Sequence, residues 1–179
     1  ALRFAVELDA TIVPATWNAI TKNAKQLVAE RDGKPIVARE LVAKEFLKSL
    51  AAAPAAAITL WDKAGALDVL MPEALAMKGC AQPKIFHSEG DVWRHALLAL
   101  ETLETPQFRR EYPSGWNAEI ALATFLHDIA KPSCQMTPAK DKVERICFPG
   151  HDEAGAEMAA AIIDRLALAS YKASGVDVE

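Results

Sequence analysis

Three observations predict an all-α fold. Alanine is abundant against only 8 Gly and 10 Pro, and alanine is the strongest helix former. Apolar residues recur at helical spacing in one segment after another. No stretch alternates as a strand does, except Val143 to Phe148, which falls in a loop. With 51% hydrophobic and 25% charged residues in a chain of 179, there is enough apolar material for a core, and the composition is not that of a disordered chain.

The elements follow in order. Leu2 to Leu8 reads as the end of a helix that begins before residue 1, broken by Asp9 and Thr11. Pro14 suits the first turn of a new helix, where its missing N–H would have had no partner. That helix is expected to reach about Glu30, and Arg31 to Pro35 reads as a turn. A helix over about Ile36 to Leu50 carries the stripe Val42, Phe46, Leu47 and Leu50. Another follows Pro54, with Ala57, Leu60, Trp61 and Ala64 on one side and Gly65 near its end. Leu67 to Met71 is short and apolar, and Pro72 stops or restarts the helix. Gly79 to Gly90 is an irregular connection.

A helix begins near Asp91, whose charge suits the positive end of the helix dipole. Val92, Ala96, Ala99 and Leu103 form its stripe, and Thr105 to Gly115, with two prolines, reads as a loop. Trp116 to Ala130 is apolar almost all round and is therefore expected to be a buried helix. After a long loop, His151-Asp-Glu precedes a last helix over about Ala154 to Leu168.

Composition narrows the function classes. No run of about 18 apolar residues is present, so no membrane span is expected. No charged and apolar leader opens the chain, so no signal peptide is expected. Cys80, Cys134 and Cys147 are odd in number, far apart and free of any CxxC pair. They indicate neither a disulfide framework nor a zinc ribbon, and a reducing, cytoplasmic setting is expected. Residues 1–90 hold 11 basic and 10 acidic side chains, against 9 and 14 in residues 91–179. The stretch Lys22 to Lys48 has seven basic and four acidic residues. Lys22, Lys25, Arg39, Lys44 and Lys48 are thus the candidate RNA contacts, although a dedicated nucleic-acid binder is normally more basic overall. The acidic second half is more at home around a divalent metal.

The chemistry centres on His127-Asp128, at the end of a segment expected to be buried. A buried ionisable pair is costly unless compensated, and a divalent cation compensates it: histidine offers a neutral nitrogen and aspartate an anionic oxygen. Neighbouring helix positions point about 100° apart, so further ligands must come from other helices. His95 lies one turn into its helix and His151 just before the last one. His95, His127, Asp128 and His151 are therefore the candidate ligands, with His87 in the preceding loop. No Ser-His-Asp or Cys-His arrangement and no glycine-rich phosphate loop is legible.

This ordered set resembles the HD superfamily of metal-dependent phosphohydrolases. It resembles more closely the HD-bearing C-terminal region of bacterial CCA-adding tRNA nucleotidyltransferases and related poly(A) polymerases. Ala1-Leu-Arg-Phe-Ala5 is similar to the segment after that family's polymerase head, Val42 to Leu50 to its neck helix, and Gly65 to Leu75 to a further shared segment. His87-Ser-Glu-Gly-Asp-Val-Trp-Arg-His95, His127-Asp-Ile-Ala-Lys-Pro132 and Phe148-Pro-Gly-His151-Asp-Glu-Ala-Gly-Ala156 are similar to its HD core.

The resemblance implies a helical neck or body over residues 1–78, with RNA-binding character, and an HD-type metal-binding helical bundle over residues 79–179. It implies a divalent ion (Mg, Mn, Ni, Co or Fe), held by His95, His127 and Asp128. His151 and His87 would support a second ion or a phosphate. Asp128 and Lys131 would be the catalytic residues, with Arg94 and Arg145 as further phosphate candidates. The implied partners are a phosphorylated nucleotide, an RNA end bearing a 2′,3′-cyclic or 2′-phosphate, or tRNA. Nucleotide addition by this chain alone is not expected, because the head with its paired carboxylates would lie before residue 1. The closing Asp of HD domains is also missing: Asp164 lies too far along the last helix, and Asp177 sits in a polar tail. The bundle is therefore expected to stop short, and a helix face left uncovered would favour association. The other reading is a tRNA-binding body or tail with a vestigial HD site.

Overall fold

The computed structural model describes residues 1–170 and is all-α, as expected, apart from one two-residue ladder. Helices α1 (Leu2–Glu7) and α2 (Pro14–Asn23) lead in. They are followed by β1 (Glu30–Arg31) and β2 (Lys34–Pro35), paired antiparallel. The body is α3 (Arg39–Ala52), α4 (Pro54–Lys63), α5 (Leu67–Leu70) and α6 (Pro72–Leu75). Then come α7 (Val92–Leu103), α8 (Pro106–Glu111), α9 (Ala118–Leu126), α10 (Lys131–Cys134), α11 (Pro138–Asp141) and α12 (His151–Arg165). No helix among the described residues is long and apolar enough to cross a membrane.

The stripes meet as their spacing demands. Val42, Phe46, Leu47 and Leu50 of α3 are buried against α4 and α9, and α7 packs between α4 and α9. One apolar cluster runs from Val42 to Leu168, taking in Ile58, Met71, Leu100, Phe125 and Ile162. Each large side chain fully removed from water contributes about 1.5–3 kcal/mol. Phe46 and Trp61 meet edge to face at 5.1 Å between centroids. The indole N–H of Trp61 donates to Ser49 Oγ at 3.2 Å, and that hydroxyl donates to Glu45 O at 2.8 Å.

Local chemistry sets the ends. Gly65, at φ +73°, closes α4: Ala66 N–H donates to Trp61 O and Gly65 N–H to Asp62 O. This is the paired helix stop that a left-handed residue allows. Asp91 caps α7 by accepting from Arg94 N–H at 2.8 Å, and its other oxygen accepts from Gly79 N–H at 2.7 Å. The Asp91 cap therefore also holds the end of α6's following turn against the start of α7. Far across the chain, Arg165 of α12 makes a two-pronged contact with Glu73 of α6, at 2.7 and 2.9 Å, and donates to Leu70 O at 3.0 Å.

Several boundaries differ from the sequence expectation. The helix from Pro14 ends at Asn23, not near Glu30, in a 3-10 turn over Ala24–Leu27. Asp32 and Gly33 both have positive φ, which makes a tight hairpin and draws Glu30 and Arg31 into the ladder. The expected loop Thr105 to Gly115 contains α8, because Thr105 accepts from Phe108 N–H and Pro106 takes the first helical position. The buried helix is shorter than Trp116 to Ala130, since Asn117 caps α9 and His127 ends it. The possible strand Val143 to Phe148 is reduced to one bridge, Met136 to Cys147. The last helix begins at His151 rather than Ala154, started by Gly150 at φ +71°.

Candidate metal centre

Three segments deliver the four candidate ligands to one place. His95 rides on the first turn of α7, His127 is the last turn of α9, Asp128 follows it, and His151 opens α12. The Asp128 carboxylate is the hub, with its side chain only 4% exposed. Its Oδ2 lies 3.0 Å from His127 Nε2 and 3.7 Å from His95 Nε2, and its Oδ1 lies 3.7 Å from His151 Nε2. One donor atom each from His95, His127 and Asp128 fits within 4.8 Å. The His127 side chain is 40% exposed, so the cluster opens to solvent on that side.

The far side of each ring is pinned. His127 Nδ1 faces Thr124 O at 2.7 Å, and His151 Nδ1 faces Phe148 O at 2.7 Å. A carbonyl oxygen only accepts, so both Nδ1 atoms carry a proton, and Nε2, on the carboxylate side, is the nitrogen that a neutral ring would offer a cation. His95 Nδ1 meets Glu89 Oε1 at 2.6 Å, and the same oxygen meets His87 Nδ1 at 2.9 Å. The His87 and His95 rings stand edge to face at 4.8 Å. His87 thus adjoins the cluster through Glu89.

Lys131, buried at the start of α10, places Nζ 2.7 Å from Asp128 Oδ2 and donates to Gln82 Oε1 at 2.8 Å. Burial pushes the Asp128 carboxyl up, but His127 and Lys131 outweigh it and hold it at about 2. In return the Asp128 carboxylate raises the His127 pKa, against the lowering effect of burial. Hydrogen bonds from His87 and His95 hold Glu89 at about 2. One buried atom here, Gln82 Nε2, lacks any close partner among the described residues, while Asp128 Oδ2 is met by His127 Nε2 and Lys131 Nζ as ion-pair contacts. A buried carboxylate faced by the Nε2 atoms of three histidines fits a divalent cation by donor type. The Lys131 ammonium offsets the carboxylate charge from the opposite side.

Not every candidate joins the cluster. Arg94 turns along α7 to Glu101, at 2.8 and 3.4 Å, on the exposed face. Its i, i+7 partner holds it there, away from the cluster. Arg145 lies over the Phe86 ring at 5.3 Å. Asp164, on α12, is exposed and makes no contact with the cluster, and Asp177 lies outside the described residues. Lys22, Lys25, Arg39 and Lys44 are exposed and Lys48 is half-buried; Arg39 pairs with Glu30 at 3.4 Å. Sequence reasoning assigned no role to Glu89 or Gln82. Glu89 sits between the two histidines of one short motif, which is a usable signal. Gln82 lies 49 residues from Lys131 and had none.

An apolar groove of about 700 Å³ runs between α9 and α12, with Leu122, Leu126 and Ile163 on its walls beside His127 and Asp152.

The fold and the cluster together define a helical domain with a histidine–aspartate centre. No family model matches the chain, and no solved structure matches it. Curated proteins do. The chain is 35% identical over 182 residues to the A-adding tRNA nucleotidyltransferase of Deinococcus radiodurans, a match that covers all of this chain and 38% of that protein. It is 33% identical over 168 residues to the CC-adding tRNA nucleotidyltransferase of Thermus thermophilus, covering 89% and 34% of the two chains. To the multifunctional CCA protein of Halorhodospira halophila it is 34% identical over 113 residues, covering 63% and 24%. The chain is therefore related to the tRNA nucleotidyltransferases, and it spans between about a quarter and two fifths of the length of these relatives.

Proposed function

We propose that this chain is the helical tRNA-binding body of a tRNA nucleotidyltransferase-like protein. The observation that carries this reading is the similarity to an A-adding enzyme over the whole chain. The exposed Lys22, Lys25 and Lys44, which have no ion-pair partner among the described residues, suit contact with a phosphate backbone. Phosphate contacts position an RNA without reading its sequence. The test is binding of fluorescently labelled tRNA across a salt series. Binding is expected to weaken steeply with salt, and replacing these three lysines with glutamine is expected to flatten the slope by about 0.7–0.9 per lost contact. Binding that is unchanged by the triple substitution overturns this placement of the RNA.

The cluster around Asp128 favours a second reading, an HD-type metal-dependent phosphohydrolase acting on nucleotides or RNA ends with 2′,3′-cyclic or 2′-phosphates. His95, His127, Asp128 and His151 would hold the ion. A bound divalent ion supplies a Lewis acid and a water of lowered pKa. The chain itself orients the ligand rings through their Nδ1 atoms, and Gln82 holds Lys131 where its ammonium can meet a phosphate oxygen. The groove beside His127 gives a nucleotide room. Metal analysis of protein purified without chelator is the test. About one equivalent in wild type, absent in Asp128→Ala, with chelator-sensitive hydrolysis of a 2′,3′-cyclic nucleotide, supports it. No metal after soaking with Mn²⁺ or Ni²⁺ sinks it.

A further inference from the structure

We infer that Glu89 is the positioning residue of the metal centre, fixing His95 as a ligand through its Nε2. This rests on the metal-centre reading above. The three candidate histidines are not held alike. His127 and His151 hand their Nδ1 protons to backbone carbonyls one turn away, Thr124 O and Phe148 O. Such acceptors come with the helix ends and need no particular side chain. His95 has no such carbonyl on its Nδ1. It meets the Glu89 carboxylate at 2.6 Å, the shortest of the three contacts.

The opposite nitrogen of His95 points to Asp128 Oδ2 at 3.7 Å. The line carboxylate, imidazole, ligand position is the arrangement that fixes a metal-binding histidine's tautomer and raises its basicity. Glu89 reaches it because Gly90, at φ +131°, turns the chain between Glu89 and the Asp91 cap. Asp91 anchors the loop on its other side through Gly79 N–H. His87 shares the same Glu89 oxygen from the side, at 2.9 Å, and packs its ring on His95. It props the carboxylate from the side.

The experiment uses the full 179-residue chain in wild-type, Glu89→Ala and Glu89→Gln forms. Mn²⁺ and Co²⁺ affinities are measured by calorimetry. The ring tautomers of the metal-free proteins are read by long-range ¹H–¹⁵N spectra, with His95→Asn used to assign the resonance. Wild type is expected to show His95 protonated at Nδ1 and bare at Nε2. Glu89→Ala is expected to lose that preference and to bind either metal about 10- to 100-fold more weakly. Glu89→Gln keeps an acceptor oxygen without the charge and is expected to fall between. A residue that only supported the fold would lower the melting temperature and leave tautomer and affinity unmoved.

Wild type that binds metal, with affinity and His95 tautomer unchanged in Glu89→Ala, overturns the role of Glu89 and leaves the centre standing. Wild type that binds neither ion overturns both. Should Glu89→Ala fail to fold, Glu89→Gln carries the same comparison.

Discussion

Two buried regions of this molecule treat their polar groups differently. Around Trp61, the indole N–H reaches Ser49 Oγ, and Ser49 in turn reaches Glu45 O, so the chain of donors and acceptors is complete. Around Asp128, the chain Gln82–Lys131–Asp128 pairs the Lys131 ammonium with both neighbours, but Gln82 Nε2 is buried without a partner among the described residues. Leaving a buried polar group unpaired costs about 1–3 kcal/mol. The first region closes its donors and acceptors in a neutral chain, whereas the second gathers histidines and a lysine around one buried carboxylate.

That contrast can be broken from either side. The largest effect on stability is expected from Phe46→Ala, which empties space beside Trp61 and costs about 3–5 kcal/mol in urea unfolding, with the metal affinity of the folded fraction unchanged. Asp128→Asn keeps the shape of the hub but removes its charge. Metal uptake in calorimetry is expected to vanish, while the fold is retained. Retained metal binding would mean that Asp128 is not the hub.

Smaller effects sharpen the comparison. Lys131→Gln removes a competing ammonium 2.7 Å from Asp128 Oδ2, so the metal-bound state is expected to gain affinity while any phosphoester hydrolysis falls. Ser49→Ala strands the Trp61 N–H and is expected to cost about 1–3 kcal/mol, without touching metal uptake.

The acid limb of the stability curve offers a fifth check. Hydrogen bonds from Arg165 lower the Glu73 pKa, against the opposing effect of burial. A carboxyl lowered by folding adds stability above its unfolded pKa of about 4.3, and that stability is lost as pH falls through the lower folded value. Glu73→Gln is therefore expected to flatten the loss of stability below about pH 4.3, as read by chemical unfolding at a series of pH values. An acid limb identical to wild type would show that the pair adds nothing.

Much of this was legible beforehand, for reasons that differ by residue. Val42, Phe46 and Leu50 repeat at helical spacing, and that periodicity alone predicts their burial. His95, His127, Asp128 and His151 stand out because a buried His-Asp pair needs partners, and the fold brings the four together. What escaped were contacts made by loops. Glu89 acts through a turn that depends on Gly90, and Gln82 meets Lys131 across 49 residues; neither leaves a periodic trace. Arg94 meets Glu101 two turns on, a pairing at i, i+7 that the apolar stripe of α7 does not mark. The helix α8 was hidden by its prolines, although Thr105-Pro106 is itself a helix start.

The helix α12 carries His151 at one end and Arg165 at the other, fourteen residues or about 21 Å apart along the axis. Arg165 is bolted to Glu73 and to Leu70 O, and near its beginning α12 passes Ala130 and His127 O at Gly155, where an added Cβ would meet them at the ordinary contact distances of 3.8 and 3.9 Å. The helix is thus a lever with its bolt at one end, its packing point near Gly155 and a candidate ligand just beyond it. Slack at the bolt becomes a tilt at His151, so a substitution at Glu73, remote from the centre and outside any substrate path, is expected to register as a change in how firmly an ion is gripped.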